Sequence, residues 1–224
     1  VQASDAIAAV AEARDSAVVH AASNYENALP ALLAARRLGL PFVYEVRGLW
    51  EHTAATRVPG WEHRERFALE RDLETLVASE ADQVLVLNEE LADELQRRGV
   101  EPGRIALAPN GVDAAAPVDA DPAQRDALGL GEAGFVLGFA GSLVAYEGLD
   151  DLLRAMAQLV DANPGLYALL VGDGDARPAL EKLAHELGLA GRVRFAGRVA
   201  PGEVSKYLAL CDCIVLPRKP ARVC

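Results

Sequence analysis

The sequence has few cationic residues and no long apolar run. Its 224 residues include 22 lysines and arginines against 33 aspartates and glutamates, so the formal net charge is −11 at neutral pH. A field of that sign does not draw the whole protein to nucleic acid or anionic lipid, although a local basic patch is compatible with it. No apolar run approaches the roughly 20 residues of a membrane-spanning helix. These deficits argue against a general nucleic-acid binder and against a spanning helix within these residues.

Cysteine is also scarce, and its three copies crowd one end of the chain. They are Cys211, Cys213 and Cys224. An odd number of cysteines in an α/β pattern indicates reduced thiols, which are typical of the cytoplasm. No histidine or second cysteine pair lies nearby at ligand spacing, so no metal site is expected there.

The rest of the sequence alternates short apolar runs with amphipathic stretches. The runs have the length of buried parallel strands, and they lie at 17–21, 41–46, 83–87, 104–107, 135–139, 167–171, 193–195 and 213–216. Helical spacing follows most of them, including a charged helix over 62–79 with Leu69, Leu73, Leu76 and Val77 on one face. This repetition predicts an α/β fold with parallel sheets and right-handed crossovers.

Residues 109–122 interrupt the alternation. They open with the turn sequence PNGVD at 109–113 and continue with alanine, proline and aspartate in no regular period. We therefore predict two α/β domains, residues 1–109 and 123–224, joined by a linker over 110–122.

The sequence GFAGSLVAYEGLD at 138–150 is the clearest candidate for a ligand-binding segment. An apolar strand ends in a glycine turn, and an amphipathic helix begins at Leu149. Such a strand–loop–helix unit can present backbone N–H groups to a phosphate, and Gly141 allows the backbone to approach a ligand closely. The alternative is an ordinary strand–loop–helix connection with turn glycines.

Four phrases in this order resemble one family. They are PFVYEVRGLWE (41–51), PNGVD (109–113), GFAGSLVAYEGLDDLLRA (138–155) and VGDGDARPALEKLAHELGLAGRVRFAGRV (171–199). Together they are similar to the retaining glycosyltransferases of family 4, which fold as two Rossmann-like domains facing across a cleft, the GT-B architecture. The phrase YEVRGLWE is most similar to a subgroup associated with bacterial exopolysaccharide assembly.

The resemblance implies an enzyme that moves a sugar from a nucleoside diphosphate sugar to a saccharide or lipid-linked acceptor, with retention and without a cofactor or metal. The first domain would face the acceptor and the second would bind the donor. A cytoplasmic location is implied, with possible contact at the inner face of the membrane. Trp50 and Trp61 flank a loop that could be an acceptor-side or membrane-proximal surface, or satellite core.

Compared with the family pattern, both domains are expected to be incomplete. A first strand with its glycine-rich loop and a later paired-glutamate motif are not found in these 224 residues. We therefore expect these residues alone to show no sugar transfer. Two alternatives stay open: a non-catalytic relic that binds nucleotide sugars, and a GT-B-type sugar-nucleotide epimerase.

On the donor side the resemblance implies seven contact residues. They are Gly141, Ser142, Gly148, Gly172, Asp173, Gly174 and Arg198. Backbone dipoles and cationic side chains at such a site can stabilise the departing diphosphate. The alternatives are tight turns for the glycine loops and a surface role for Arg198. Replacing Gly141 with valine is expected to block close backbone approach and to leave the fold largely intact.

Two positions depart from the family pattern. Many members carry an arginine and a lysine where this sequence has Ser142 and Glu147. Glu147 would repel a diphosphate, so Glu147→Lys is expected to strengthen nucleotide binding. The alternative for Glu147 is a solvated carboxylate in the first turn of a helix, favoured by the helix dipole.

In the first half, three polar residues are candidates at the carboxyl edge of the sheet, where α/β proteins place ligands. They are His20, Glu45 and Arg47. In many relatives a histidine near the position of Arg47 contacts the donor sugar, and Arg47 could bind phosphate bidentately. The alternative is an ion pair of Arg47 with Glu45 or Glu51. Glu45 needs a partner in a buried strand, and for His20 a structural role is favoured.

Overall fold

The computed structural model describes residues 2–112, 118–130 and 133–220. It divides into two compact units, Val1–Asp113 and Ala114–Arg222. Asp113 of the PNGVD phrase and Cys224 lie outside the described residues.

The first unit is a four-stranded parallel sheet with helices between its strands. Its elements are α1 (Gln2–Ala13), β1 (Val19–Ala22), α2 (Tyr25–Leu38), β2 (Phe42–Val46), α3 (Trp50–Ala55), α4 (Glu65–Glu80), β3 (Gln83–Val86), α5 (Glu89–Arg97) and β4 (Ile105–Leu107). The strands lie in the order β1-β2-β3-β4, and every neighbouring pair is parallel.

The second unit repeats this architecture with a different strand order. Its elements are α6 (Pro122–Ala127), β5 (Phe135–Ala140), α7 (Leu149–Leu159), β6 (Leu166–Val171), α8 (Arg177–Glu186), β7 (Val193–Gly197), α9 (Val204–Leu208) and β8 (Cys213–Ile214). The sheet order is β7-β6-β5-β8, again entirely parallel. The predicted α/β class with two parallel sheets is confirmed.

Strand β6 shows why its sequence is apolar at every position. Ala168 and Leu170 pack into the core on one face of the sheet, and Leu169 and Val171 pack into a separate core on the other. All four residues are at most 2% exposed. Side chains alternate between the faces of a strand, so a sheet covered by helices on both sides requires a continuous apolar run.

Local signals set the limits of several helices. Gly39 ends α2 in the left-handed region at φ 66°, which a glycine adopts at little cost. Asn88 begins α5, because its side-chain oxygen accepts a hydrogen bond from the Leu91 amide at 2.9 Å. Helix α2 begins at Tyr25, so Pro30 lies inside the helix and not in its first turn.

Helix α4 departs from the predicted apolar face. Leu69 is 57% exposed and Leu76 is 47% exposed, whereas Val77 and Glu74 are buried. The helix turns Glu74 inward because two hydrogen-bond donors of the first unit meet its carboxylate there. A sequence pattern that treats every glutamate as exposed therefore selects the wrong face.

Candidate functional site

Most of the predicted donor-side residues converge on one pocket of the second unit, which we term the glycine-loop pocket. It has a volume of about 350 Å³. Its lining residues are Ala140, Gly141, Ser142, Val171, Gly172, Asp173, Arg198, Val199 and Val204. These residues lie at or beside the carboxyl ends of β5, β6 and β7, the edge where α/β sheets bind ligands. Five of the seven predicted donor-side residues line it: Gly141, Ser142, Gly172, Asp173 and Arg198.

The floor of this pocket consists of closely packed backbone. A Cβ on Gly172 would lie 1.9 Å from the Gly141 carbonyl oxygen, and Gly172 has φ 130°. The Gly141 amide donates to the Val171 carbonyl at 2.9 Å, and the Gly172 amide donates to the Gly197 carbonyl at 2.8 Å. These two amides extend the sheet and are engaged, so the expectation that the Gly141 amide binds phosphate is not supported by its hydrogen bonding.

The pocket nevertheless has polar groups available for a ligand. Among the described residues, neither the amide nor the hydroxyl of Ser142 donates a hydrogen bond. Arg198 is exposed, and its guanidinium pairs with no carboxylate in the part of the chain that the structure describes. A serine N–H and O–H and a guanidinium on the same pocket lining are groups that can donate hydrogen bonds to an anion.

Two predicted donor-side residues lie outside the pocket lining. Gly174 is fixed in the loop before α8, where a Cβ would lie 2.4 Å from the Leu143 carbonyl oxygen. Its amide donates to the Asp173 carboxylate at 2.9 Å. Gly148 has φ 70°, and a Cβ on it would lie 2.0 Å from the Pro217 carbonyl oxygen. Both glycines allow one chain segment to approach another.

Glu147 is not a solvated carboxylate, so that alternative is wrong. Glu147 is 6% exposed and lies in the short 3₁₀ turn Ala145–Glu147 before α7. Arg218 Nε donates to Glu147 Oε2 at 3.0 Å, which places a cation against this carboxylate. The next residue after Arg218 also pairs with a carboxylate: Lys219 Nζ lies 2.6 Å from Asp150 Oδ2. Burial is the largest single influence on the pKa of Asp150 and raises it, but the hydrogen bond and charge of Lys219, together with backbone hydrogen bonds, lower that pKa overall.

Sequence reasoning missed this use of Arg218 and Lys219. The Lys219 amide also donates to the Tyr146 carbonyl at 2.9 Å, so the segment after β8 lies across the turn before α7. The sequence signal that could have indicated this role is the presence of two adjacent cations soon after the last strand. Their acidic partners are about seventy residues earlier, and no local pattern connects them.

In the first unit, the three predicted polar residues come together. Arg47 Nε and Nη2 donate to the two carboxylate oxygens of Glu45 at 2.8 and 3.1 Å. His20 Nε2 lies 3.2 Å from Glu45 Oε2. The hydrogen bond from Arg47 is the largest cause that lowers the pKa of Glu45. The alternative of an Arg47–Glu45 ion pair is confirmed, while Glu51 instead lies 2.8 Å from Arg98. Strand β1 continues to Ala22, so His20 lies within it.

A second pocket, termed the carboxylate pocket, lies in the first unit and has a volume of about 230 Å³. Its lining includes Asn24, Tyr25, Glu26, Trp50, Glu51, Ala54, Arg66, Glu70 and Glu74. Trp50 is 55% exposed, whereas the Trp61 indole nitrogen is buried and Arg64 and Arg66 stack on its ring. The two tryptophans thus differ in environment, and Trp50 lines the carboxylate pocket.

Glu74 joins this pocket to the core. Its Oε1 accepts from the Tyr25 amide at 2.7 Å, and its Oε2 accepts from the Tyr44 hydroxyl. Burial raises the pKa of Glu74 and is the largest influence on it, while the two hydrogen bonds act in the opposite direction. Both acceptor oxygens are therefore occupied by protein donors.

The described residues give no group of three or more histidine, cysteine, aspartate or glutamate side chains that could hold a metal ion. Within the same ranges, no helix is both long enough and apolar enough to cross a membrane. Cys211 and Cys213 are free thiols, and burial raises the pKa of Cys211 to about 11, which keeps its thiol protonated.

Two family profiles match consecutive parts of the chain. The Glycosyl transferase 4-like domain matches residues 1–111, and the Glycosyl transferases group 1 profile matches residues 120–220. Their order agrees with two parallel-sheet units of the GT-B type. The chain belongs to the family 4 glycosyltransferases. The chain spans less than half the length of the curated relatives that it matches.

The D-inositol 3-phosphate glycosyltransferase of Streptomyces avermitilis is 32% identical over 197 residues, which cover 83% of this family 4 chain and 42% of that protein. The protein of the same name from Rhodococcus opacus is 36% identical over 154 residues, covering 64% of this chain and 34% of the relative.

Solved structures show the same fold at lower identity. Anabaena HepE in complex with UDP superposes with a TM-score of 0.77 at 21% identity, covering 97% of this chain and 57% of HepE. Its complex with UDP-glucose gives a TM-score of 0.74 at 22% identity, covering 94% and 55%.

Proposed function

We propose that the second unit binds the nucleoside diphosphate of a sugar donor in the glycine-loop pocket. The whole protein would transfer that sugar to a hydroxyl group of a saccharide or lipid-linked acceptor, with retention at the anomeric carbon. The observation that carries the proposal is the combination of Arg198, unpaired among the described residues, with the available N–H and O–H of Ser142. The UDP and UDP-glucose complexes of HepE support a uridine nucleotide as the first ligand to test.

In this mechanism the pocket stabilises the leaving group. Negative charge develops on the departing diphosphate, and preorganised donors that meet this charge lower the barrier. Arg198 can donate two parallel hydrogen bonds to phosphate oxygens, and Ser142 can donate from its amide and its hydroxyl. Gly172 allows the backbone floor to lie close beneath the ligand, because a side chain there would meet the Gly141 carbonyl.

The first unit would provide the acceptor side. Its carboxylate pocket combines the exposed indole of Trp50 with several hydrogen-bond acceptors, a composition that suits a hydroxyl-rich molecule. The likeness of the YEVRGLWE phrase to exopolysaccharide-associated enzymes supports a role in polysaccharide biosynthesis, carried out in the cytoplasm or at the inner face of the membrane.

The donor proposal is tested by calorimetric titration of UDP into the wild type, Arg198→Gln and Arg154→Gln at one low salt concentration. Arg154 is the matched control, because it is exposed in the same unit, loses the same charge and lies outside the glycine-loop pocket. Arg198→Gln should weaken UDP binding by about ten- to hundred-fold, the loss of 1.4 to 2.8 kcal/mol expected for a charge-assisted contact. The control should bind as the wild type does. Equal UDP affinity in folded Arg198→Gln and wild type would show that the glycine-loop pocket is not the donor site.

A further inference from the structure

The carboxylate pocket of the first unit contains a buried carboxylate with unused hydrogen-bonding capacity. Glu51 is 0% exposed and lines the pocket. Arg98 Nη2 lies 2.8 Å from its Oε1 and balances its charge. Neither carboxylate oxygen, however, accepts a hydrogen bond of good geometry from the described residues. A buried acceptor of this kind requires O–H or N–H donors from a ligand or from water.

The lining of this pocket also includes an aromatic residue. Trp50 lines the same pocket, and more than half of its surface is exposed. A ring polyol has an apolar C–H face and an edge of hydroxyl groups, so it can lie against an indole while its hydroxyls donate to carboxylates. Glu26 and Glu70 supply further carboxylate groups on the lining.

The charge of the lining selects against anions. Arg98 balances the charge of Glu51. The other three carboxylates on the lining, those of Glu26, Glu70 and Glu74, share one guanidinium there, that of Arg66, whose Nε donates to Glu70 Oε1 at 2.8 Å. Tyr25, on the same lining, reports the local field. Burial is the largest cause that raises the pKa of its phenol, the charges of Glu26 and Glu70 raise this pKa further, and the charge of Arg66 lowers it. A field that disfavours a phenolate also disfavours a phosphate group at the same place.

We propose that the carboxylate pocket binds an uncharged, hydroxyl-rich ring, a sugar or polyol, and rejects its phosphorylated form. This inference rests on the proposed function in that the bound ring would be the acceptor. Hydroxyl groups donate to the carboxylates, whereas a phosphate would bring acceptor oxygens and negative charge against them.

The test uses this chain with two probes, myo-inositol and inositol monophosphate, followed by saturation-transfer NMR and by tryptophan fluorescence at low salt. Inositol should bind, and inositol monophosphate should bind at least about ten-fold more weakly, with the gap narrowing as salt screens the carboxylates. Trp50→Ala should weaken inositol binding by about ten-fold. Glu26→Gln should strengthen inositol monophosphate binding several-fold relative to inositol, and Glu12→Gln, an exposed residue of α1, should not.

The outcomes separate this inference from the donor proposal. Tighter binding of inositol monophosphate than of inositol would overturn it, and so would absence of inositol binding by the folded chain. UDP is titrated into the same samples. Failure of UDP to bind, with inositol bound, would contradict only the donor site in the second unit. The reverse result would contradict only the inference about the carboxylate pocket.

Discussion

Gly148 and Pro217 are in such close contact that a Cβ on Gly148 would lie 2.0 Å from the Pro217 carbonyl oxygen. This contact brings the segment after β8 onto the turn before α7, where Arg218 meets Glu147 and Lys219 meets Asp150. One glycine therefore allows two ion pairs between segments about seventy residues apart.

Gly148→Ala should destabilise the second unit far more than Gly188→Ala. Both glycines have almost the same φ, 70° and 72°, so an alanine is strained equally at each, by about 1 kcal/mol. No atom lies within 4 Å of the Cβ position of Gly188, so only Gly148→Ala must also displace Pro217. We expect a total cost of about 3 kcal/mol for it. Urea unfolding followed by circular dichroism is the measurement, because both tryptophans are in the first unit. An equal loss of unfolding free energy in the two variants would contradict the close contact between Gly148 and Pro217.

Each unit has one aspartate that connects two neighbouring strands, and its hydrogen bonds are the same in both units. Asp82 Oδ2 accepts from the Phe42 amide at 2.8 Å, and its own amide donates to the Phe42 carbonyl at 3.0 Å. Asp212 makes the same two hydrogen bonds with Val136: its Oδ2 accepts from the Val136 amide at 2.7 Å, and its own amide donates to the Val136 carbonyl at 2.9 Å. Each aspartate stands directly before a strand and fixes the first residues of the adjacent strand.

Replacing either aspartate with alanine should lower the free energy of unfolding by about 1–2 kcal/mol, because a strand amide loses its acceptor. The Asp82 contribution should also depend on pH. The hydrogen bond from the Phe42 amide is the largest cause that lowers the pKa of Asp82. Its stabilisation is therefore present above the pKa of the unfolded chain and is lost as the pH falls through the lower pKa of the folded state. The unfolding free energies of the wild type and Asp82→Ala, measured by urea titration, should converge as the pH falls through the folded pKa of Asp82. A difference that stays constant throughout the acid range would contradict this origin.

The structure changes the expected effect of Glu147→Lys. A lysine at this buried position would lie against Arg218 and would remove its carboxylate partner. We expect the unfolding free energy to fall by about 2 kcal/mol with no gain in UDP affinity. Glu186→Lys is the control, since it makes the same charge change in an exposed pair of α8 and should cost under about 0.5 kcal/mol. Tighter UDP binding by Glu147→Lys than by the control would show that Glu147 does repel the diphosphate.

Gly141→Val is a poorer test of the donor site than the sequence suggested. A Cβ on Gly141 would lie 3.1 Å from Cζ of Phe139, which is 1% exposed in the core of the second unit. Lost binding in that variant could therefore result from a disturbed core. Arg198→Gln avoids this ambiguity, because Arg198 is exposed.

The sequence predicted those features that depend on short-range patterns. Alternation of apolar runs and helical spacing was sufficient for the strands. The resemblance to family 4 implied Gly141, Gly172 and Arg198 as donor-side residues, and the structure has them around one pocket because parallel strands bring their carboxyl ends together. Features that depend on distant partners were missed. The burial of Glu147 depends on Arg218, and no local property of the sequence around either residue indicates their contact.

Glu74 was missed for a related reason. It lies in a helix with charged residues on several sides, and the leucines Leu69 and Leu76 gave a more regular apolar face than the one that is buried. Its inward orientation is stabilised by donors from two other segments, the Tyr25 amide and the Tyr44 hydroxyl. Tyr44 reads as an ordinary apolar strand residue, and its role as a donor is visible only in the folded structure.

The Tyr44–Glu74 pair leads to a prediction about pH. Burial raises the pKa of Glu74 above its ordinary value, with the charge of Glu51 acting in the same direction and that of Arg98 in the opposite one. In the window between the unfolded and folded pKa values the native state binds more protons, so its stability falls as the pH rises through that window. The hydrogen bond from Tyr44 stabilises ionised Glu74 and limits this loss.

Tyr44→Phe should therefore destabilise the first unit more at a pH above the folded pKa of Glu74 than at a pH below it, by about 1–3 kcal/mol at the higher pH, because the ionised carboxylate then lacks one donor. Tyr25→Phe is the matched control, because the donor from residue 25 to Glu74 is the backbone amide and survives the substitution. Urea unfolding followed by tryptophan fluorescence reports on this unit, since Trp50 and Trp61 both lie in it. If Tyr44→Phe costs the same at both pH values, the tyrosine contributes by packing alone and does not stabilise the Glu74 carboxylate.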